Sequence, residues 1–93
     1  MMSVLDLVLT RHWYDKISSG QKRHEYREIK PYWTRRLFAK SYDKVRFRRG
    51  YTSTTMDFEL MSIEETAEPN DLNSPRCYCL TLGKRLSHDG KAV

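Results

Sequence analysis

The sequence predicts an α+β domain, namely a small, mostly antiparallel β-barrel with two or three short flanking helices. Its 93 residues suffice for one domain, and 39% hydrophobic with 31% charged residues can support a modest core. Apolar periodicity gives the order strand, helix, strand, helix and then three strands. Two short helices cannot cover both faces of a parallel sheet, so a barrel fits better. We expect residues 1–86 to form the domain and residues 87–93 to form a flexible tail.

The chain begins with a strand and a helix. Residues 4–10 are rich in Leu and Val, which predicts a strand that is buried on both faces. Its last residue, a threonine, can cap a helix over residues 11–19, in which Trp13 and Ile17 lie four apart on the inner face. Gly20 follows the helix at a position where a positive φ is cheap only for glycine.

An extended segment and a second helix come next. Residues 22–29 are extended, and Pro31 ends this segment because the residue before a proline disfavours helical geometry. The same Pro31 can open a helix over residues 32–40, with Trp33 and Leu37 facing inwards.

Three strands fill the second half. Residues 43–49 alternate between apolar and basic side chains, as a half-buried strand does. The next strand alternates as far as Leu60 and continues one step out of phase from Met61, which indicates a bulge where a strand curves. Residues 69–75 form a polar loop, and residues 76–82 form the last strand.

Charge and cysteine content narrow the possible functions. The net charge of +5 favours an acidic partner, such as nucleic acid, anionic lipid or a phosphorylated small molecule, although simple solubility explains it equally well. Cys77 and Cys79 are too few and too close for a disulfide framework, and no second Cys or His pair completes a zinc site. No apolar run has the length of a membrane span. We therefore expect a cytoplasmic protein without metal, cofactor or membrane partner.

The densest group of candidate functional residues is GQKRHEYRE, residues 20–28. In a regular strand Glu25 and Arg27 share one face, and Lys22 joins them only if the chain is still turning there or a bulge intervenes. Arg27 offers a planar fork for phosphate, and Lys22 offers a point charge. Glu25 could orient Arg27 or accept protons from a base edge. A solvated surface ion pair, worth under ~1 kcal/mol, is the alternative interpretation.

Gly20, Lys22, Glu25 and Arg27 stand in the pattern G-x-K-x-x-E-x-R, which resembles the signature of the ASCH family (activating signal cointegrator homology). Similarities in the preceding helix and the last strand extend the resemblance over nearly the whole chain, with small prokaryotic and phage members as the nearest type. The resemblance implies a barrel of the PUA-like superfamily, with a cleft beside the motif that binds RNA or a nucleotide. Tyr26, inside the motif, is a further candidate ligand contact.

Two other functions stay open. Relatives within the resemblance include a ribonuclease and an amidohydrolase that deacetylates acetylcytidine with the motif lysine and a threonine three residues later. Here Lys22 matches the lysine, but Glu25 stands at the threonine position, and a carboxylate does not replace a hydroxyl nucleophile. An enzyme would use Lys22 as general base and Glu25 as its proton partner, and Glu64 or Glu65 could supply the relative's further glutamate. The other possibility is a protein-interaction module in transcription regulation.

A basic stripe follows in the second half: Lys44, Arg46, Arg48 and Arg49. The stripe could track a phosphate backbone, or it could be an exposed strand face made polar to prevent edge pairing. Tyr51 stands in the loop after the stripe, which makes it the best candidate for stacking on an unpaired base.

Overall fold

Two helices and five strands are present in the computed structural model, which describes residues 3–87. In chain order they are β1 (Val4–Leu9), α1 (Arg11–Ser18), β2 (His24–Arg27), α2 (Pro31–Phe38), β3 (Lys44–Arg49), β4 (Thr55–Thr66) and β5 (Cys77–Leu86). This is the order that the sequence predicts. The expected tail, residues 87–93, lies outside the described residues apart from Ser87. Within the described part of the chain, no helix is long and apolar enough to cross a membrane.

The strands form one curled sheet in the order β1-β3-β4-β5-β2. β1 runs parallel to β3, and the other three pairs are antiparallel. The predicted α+β class with a mostly antiparallel sheet is therefore confirmed, and the sheet has the shape of a half-barrel whose edges are β1 and β2.

β1 is buried on one face and not on two, contrary to the prediction from its apolar composition. Leu5, Leu7 and Leu9 are buried, whereas Asp6 and Val8 on the opposite face are exposed. The reason is that β1 packs on the core through one face only, as strands of a mostly antiparallel sheet commonly do. The core that it joins extends over both helices and β3, β4 and β5, and includes Tyr14, Ile17, Leu37, Val45, Phe47, Met56, Phe58, Tyr78, Leu80 and Leu82.

The helices begin as the sequence predicts and end earlier. The side chain of Thr10 accepts a hydrogen bond of 3.4 Å from the Trp13 N–H and so caps α1. Pro31 is the first residue of α2, where its missing N–H costs nothing. From α2, Arg36 donates to the main-chain oxygen of Asp6 on the free edge of β1. This contact anchors α2 against the edge of the sheet.

A bulge lies in β4, where the parity of the sequence slips. The register between β4 and β5 shifts on both sides of Leu60, which confirms the predicted bulge. Gly83 of β5 lies against it, and a Cβ there would be 2.8 Å from Met61 Sδ. β5 continues past Leu82 to Leu86, because Leu86 is buried opposite Asp57, although the exposed residues before it gave no apolar signal.

Candidate functional site

The motif begins in the turn after α1. Gly20 has φ +83° and donates its N–H to the oxygen of Ile17. The Lys22 N–H donates to the oxygen of Lys16 at 3.2 Å, so the chain is still turning at Lys22, and β2 starts only at His24. This turn meets the condition under which Lys22 joins the other two charged side chains of the motif.

Glu25 lies between two cations. Lys22 Nζ is 3.0 Å from Glu25 Oε1, and Arg27 Nη2 is 2.9 Å from Glu25 Oε2. The side chains of Lys22 and Glu25 are only 10% and 7% exposed. The three residues therefore form a part-buried network, hereafter the motif network, and not a solvated surface ion pair.

Arg27 links the motif network to the neighbouring elements. Its Nη2 also donates to the oxygen of Val8 at 3.2 Å, and its guanidinium carbon lies 4.8 Å from the centre of the Trp33 ring. The Nε atom is buried and has no hydrogen-bond partner among residues 3–87. Arg27 therefore holds β2 against β1 and α2, on the inner side of the site.

Lys22 has two further neighbours that the motif itself does not contain. Its ammonium group contacts the carboxylate of Asp71 in the loop between β4 and β5, and it lies 4.3 Å from the centre of the Trp13 ring. Glu65, a candidate for this region, instead pairs with Arg76 at 3.1 Å, and Glu64 is exposed. The sequence indicates only that Asp71 is an acidic residue in a polar loop. Its contact with Lys22 joins positions 49 apart, and no local spacing reveals such a contact.

Two clefts meet at Lys22. The first, hereafter the aromatic cleft, has a volume of about 370 Å³, and its lining includes Trp13, Lys22, Arg23, His24, Tyr26 and Asp71. The second, hereafter the basic groove, has a volume of about 590 Å³, and its lining includes Ile17, Lys22, Arg23, Phe58, Leu82, Lys84 and Arg85. Lys22 and Arg23 line both, whereas Glu25 and Arg27 line neither.

The basic groove combines an apolar floor with a cationic rim. Ile17, Phe58 and Leu82 form the floor and are buried in the core. Among the described residues, the side chains of three rim cations form no ion pair: Arg23, Lys84 and Arg85. Glu59 is the one carboxylate of this lining and accepts a hydrogen bond of 2.9 Å from the Lys84 N–H. The four cations of the groove therefore outnumber its carboxylate, and the excess positive charge can hold an anionic group.

The first two residues of the basic stripe lie in a buried ion cluster. Lys44 Nζ is 2.9 Å from Asp57 Oδ2, Arg46 Nε is 2.8 Å from Asp57 Oδ1, and Asp57 is completely buried. Burial acts to raise the pKa of Asp57, but the hydrogen bonds from Arg46 and Lys44 and the positive charges of both residues together outweigh it and lower that pKa. The expected solvent-facing position of Lys44 is therefore wrong, because β4 places a carboxylate opposite Arg46.

The remaining stripe residues are also engaged within the chain. Arg48 donates to the oxygen of Thr52 at 2.9 Å, and Arg49 forms two hydrogen bonds of 3.0 Å with the Asp15 carboxylate. Tyr51 is 97% exposed in the turn that follows. A phosphate-binding role for the stripe stays a prediction, and it would require ligand to compete with these internal contacts.

The cysteines are separate thiols on β5. Cys77 is buried and Cys79 half-buried, and burial raises the pKa of both thiols. Their thiolate forms are therefore disfavoured. Among residues 3–87, no group of three or more His, Cys, Asp or Glu side chains is placed to hold a metal ion.

No family model, curated protein or solved structure matches the chain. Fold and site geometry nevertheless define its structural class, a small α+β domain with a curled five-stranded sheet. The motif network lies at the open side of this half-barrel, next to two clefts. Membership of the ASCH family and of the PUA-like superfamily stays a prediction.

Proposed function

We propose that the chain binds a nucleotide or single-stranded RNA where the aromatic cleft and the basic groove meet. The observation that carries this proposal is that Lys22 and Arg23 line both clefts. A nucleotide likewise joins an aromatic base to an anionic phosphate. In this arrangement the phosphate lies on Lys22 and Arg23, the base enters the aromatic cleft, and a longer RNA continues along the basic groove.

The aromatic cleft can accept a base of any type. The rings of Trp13 and Tyr26 both lie near the Lys22 ammonium group, with their centres 4.3 Å and 5.6 Å from it. The His24 and Tyr26 rings are stacked, with centres 6.4 Å apart. Stacking of a base on an aromatic side chain contributes about 1–3 kcal/mol and tolerates different bases. We therefore expect weak discrimination among bases in this cleft.

The basic groove suits the phosphates. Arg23 offers a planar fork, and Lys84 and Arg85 extend the positive rim away from Lys22. The apolar floor excludes water on one side, which strengthens charge interactions at the rim. Because the contacts are to phosphate, affinity should fall steeply as salt is added.

Glu25 and Arg27 have positioning roles in this proposal. Glu25 fixes the Lys22 ammonium group through a 3.0 Å ion pair, and Arg27 in turn fixes Glu25. The sequence predicts that both residues touch the ligand, whereas in this proposal they hold Lys22 in place through ion pairs. The same arrangement supports the further proposal that the chain is an ASCH domain with a PUA-like fold, since all four motif positions lie around one site.

The test is a titration of fluorescent single-stranded and hairpin RNAs at about 50 and 200 mM salt, a range over which phosphate-driven binding falls strongly. Arg23→Ala, at an exposed position, and Lys22→Ala should weaken binding about tenfold or more, the equivalent of about 1.4 kcal/mol. Lys40→Ala, which removes the same charge from an exposed position that lines neither cleft, is the matched control. Equal affinity of all four proteins would refute the proposal.

A second candidate function is hydrolysis of a modified nucleoside, and one observation favours it. Lys22 contacts two carboxylates, those of Glu25 and Asp71, and two of these three residues line the aromatic cleft. A lysine between carboxylates can relay a proton during attack of water on an amide. If the chain has this activity, chromatography after incubation of acetylcytidine with the protein will show the products cytidine and acetate. Loss of turnover in Lys22→Ala and in Asp71→Ala would support this function, and absence of turnover in the wild type would exclude this substrate.

A further inference from the structure

We infer that the Asp71 carboxylate occupies, in the free protein, the position on Lys22 that the phosphate of the ligand takes in the complex. The loop that carries Asp71 is then a latch that must open when ligand binds. The inference rests on the proposed nucleotide-binding function, and it adds to it a residue that determines specificity. It begins from the contact between Lys22 and Asp71 inside the aromatic cleft.

Of the two carboxylates on Lys22, Asp71 is the one that can leave. Glu25 is 7% exposed and is held from its other side by Arg27. Asp71 is 27% exposed, and Lys22 is its ion-pair partner within the described chain. Displacing Glu25 would leave a buried carboxylate without one of its cations, whereas Asp71 can be hydrated as it moves out.

The Asp71 loop can open without losing its own structure. The Asn70 side chain accepts from the N–H groups of Leu72 and Ser74 and donates to the oxygens of Glu68 and Ser74. These hydrogen bonds are internal to the loop, so they persist when Asp71 leaves Lys22. Opening therefore breaks the ion pair while conserving this internal set of bonds.

Ligand chemistry decides which molecules open the latch. A phosphate monoester carries up to two charges and three acceptor oxygens, so it can bridge Lys22 and Arg23. Of Lys22 and Arg23, the Asp71 carboxylate pairs with Lys22 only. A phosphate therefore competes successfully for Lys22, whereas an uncharged nucleoside gains nothing there. The latch thus selects nucleotides, or RNA with its phosphates, over nucleosides.

The test compares wild type with Asp71→Asn, a substitution that keeps the size of the side chain and removes its charge. The probes are uridine monophosphate, uridine and inorganic phosphate, measured by calorimetry. We expect Asp71→Asn to bind uridine monophosphate and phosphate about two- to fivefold more tightly, as loss of a partly exposed ion pair implies, and uridine equally. Asp6→Asn, which makes the same change of charge at an exposed position of β1, should match the wild type.

The outcomes separate this inference from the proposed function. Tighter phosphate binding by Asp71→Asn alone supports the latch. If wild type binds uridine monophosphate through Lys22 and Asp71→Asn binds it equally or more weakly, Asp71 is not a competitor and the inference is overturned, while the proposed function stands. If none of the proteins binds uridine monophosphate or phosphate, nucleotide binding fails and the inference with it, whereas the RNA titrations decide RNA binding separately.

Discussion

Arg27 Nη2 donates a hydrogen bond of 3.2 Å to the main-chain oxygen of Val8. The two residues lie on β2 and β1, the opposite edges of the sheet, so one guanidinium group spans the open side of the half-barrel. The same group is 2.9 Å from Glu25 and packs on Trp33. Arg27 therefore holds the elements of the site together, in addition to contributing a positive charge to it.

Arg27→Lys should destabilise the fold, because a single ammonium group cannot reach Glu25 and Val8 and also stack on Trp33. We expect urea unfolding to show a loss of about 1–3 kcal/mol, the cost of leaving a buried acceptor without its partner. Arg76→Lys is the matched control, since its pair with Glu65 is exposed. A loss of similar size in both variants would contradict the role assigned to Arg27.

The ion cluster around Asp57 should be the most sensitive charged group in the fold. Asp57→Ala leaves the buried Lys44 ammonium group without this carboxylate, and we expect a loss of about 3–5 kcal/mol in the free energy of unfolding. Asp15→Ala breaks the solvent-exposed pair with Arg49 and should reduce the free energy of unfolding far less. Calorimetric or urea unfolding of the two variants would show the difference, and equal losses would show that burial does not matter here.

The same carboxylate should make stability depend on pH at the acid end. The pKa of Asp57 is lower in the folded chain than in the unfolded chain, where it is about 3.9. Its stabilising contribution is therefore complete above that value and is lost as the pH falls through the folded pKa. Urea unfolding at a series of pH values should show this loss in the wild type and a weaker dependence in Asp57→Asn. If the wild type and Asp57→Asn show the same dependence of stability on pH, Asp57 is not the group responsible for the loss.

Gly83→Ala should strain the bulge between β4 and β5. The new Cβ would lie 2.8 Å from Met61 Sδ and 2.9 Å from Glu59 Oε1, so both side chains must move. We expect a loss of about 1–3 kcal/mol, as for other overpacked sites. Adding Met61→Ala, at a position that is 64% exposed, should restore part of the loss. If the double variant and Gly83→Ala unfold at the same temperature, the strain lies in the backbone and not in the contact with Met61.

Tyr51→Ala separates stability from binding. The ring is 97% exposed, so we expect the free energy of unfolding to change by less than about 0.5 kcal/mol. If the tyrosine stacks on a base, as its place after the basic stripe predicts, affinity for single-stranded RNA should fall by about 1–3 kcal/mol. Fluorescence anisotropy with wild type, Tyr51→Ala and Tyr51→Phe is the measurement. Unchanged affinity in Tyr51→Ala would remove Tyr51 from the binding surface.

Local patterns in the sequence predicted the elements of the fold well. Helix capping by Thr10, the turn at Gly20 and the bulge near Leu60 each depend on residues close in sequence, and each appears at its predicted place. The burial of Lys44 was not predictable in this way. Alternation separates the two faces of a strand, but it does not reveal a buried carboxylate on the next strand.

The candidate site was predictable in part for the same reason. Lys22, Glu25 and Arg27 lie within six residues of chain, and the motif network brings them together. Asp71 contacts Lys22 across 49 positions, and only the pairing of β5 with β2 and β4 carries its loop to the turn after α1. Contacts that depend on the strand order in this way produce no recognisable residue spacing in the sequence.

The edge of β1 has a consequence for how molecules of this protein meet one another. The main-chain oxygens of Asp6 and Val8 accept from Arg36 and Arg27. A strand from a second molecule would find these acceptors occupied by charged donors. Edge-to-edge pairing, the usual first step of sheet aggregation, would have to break both hydrogen bonds, so the two arginines protect this edge against self-association.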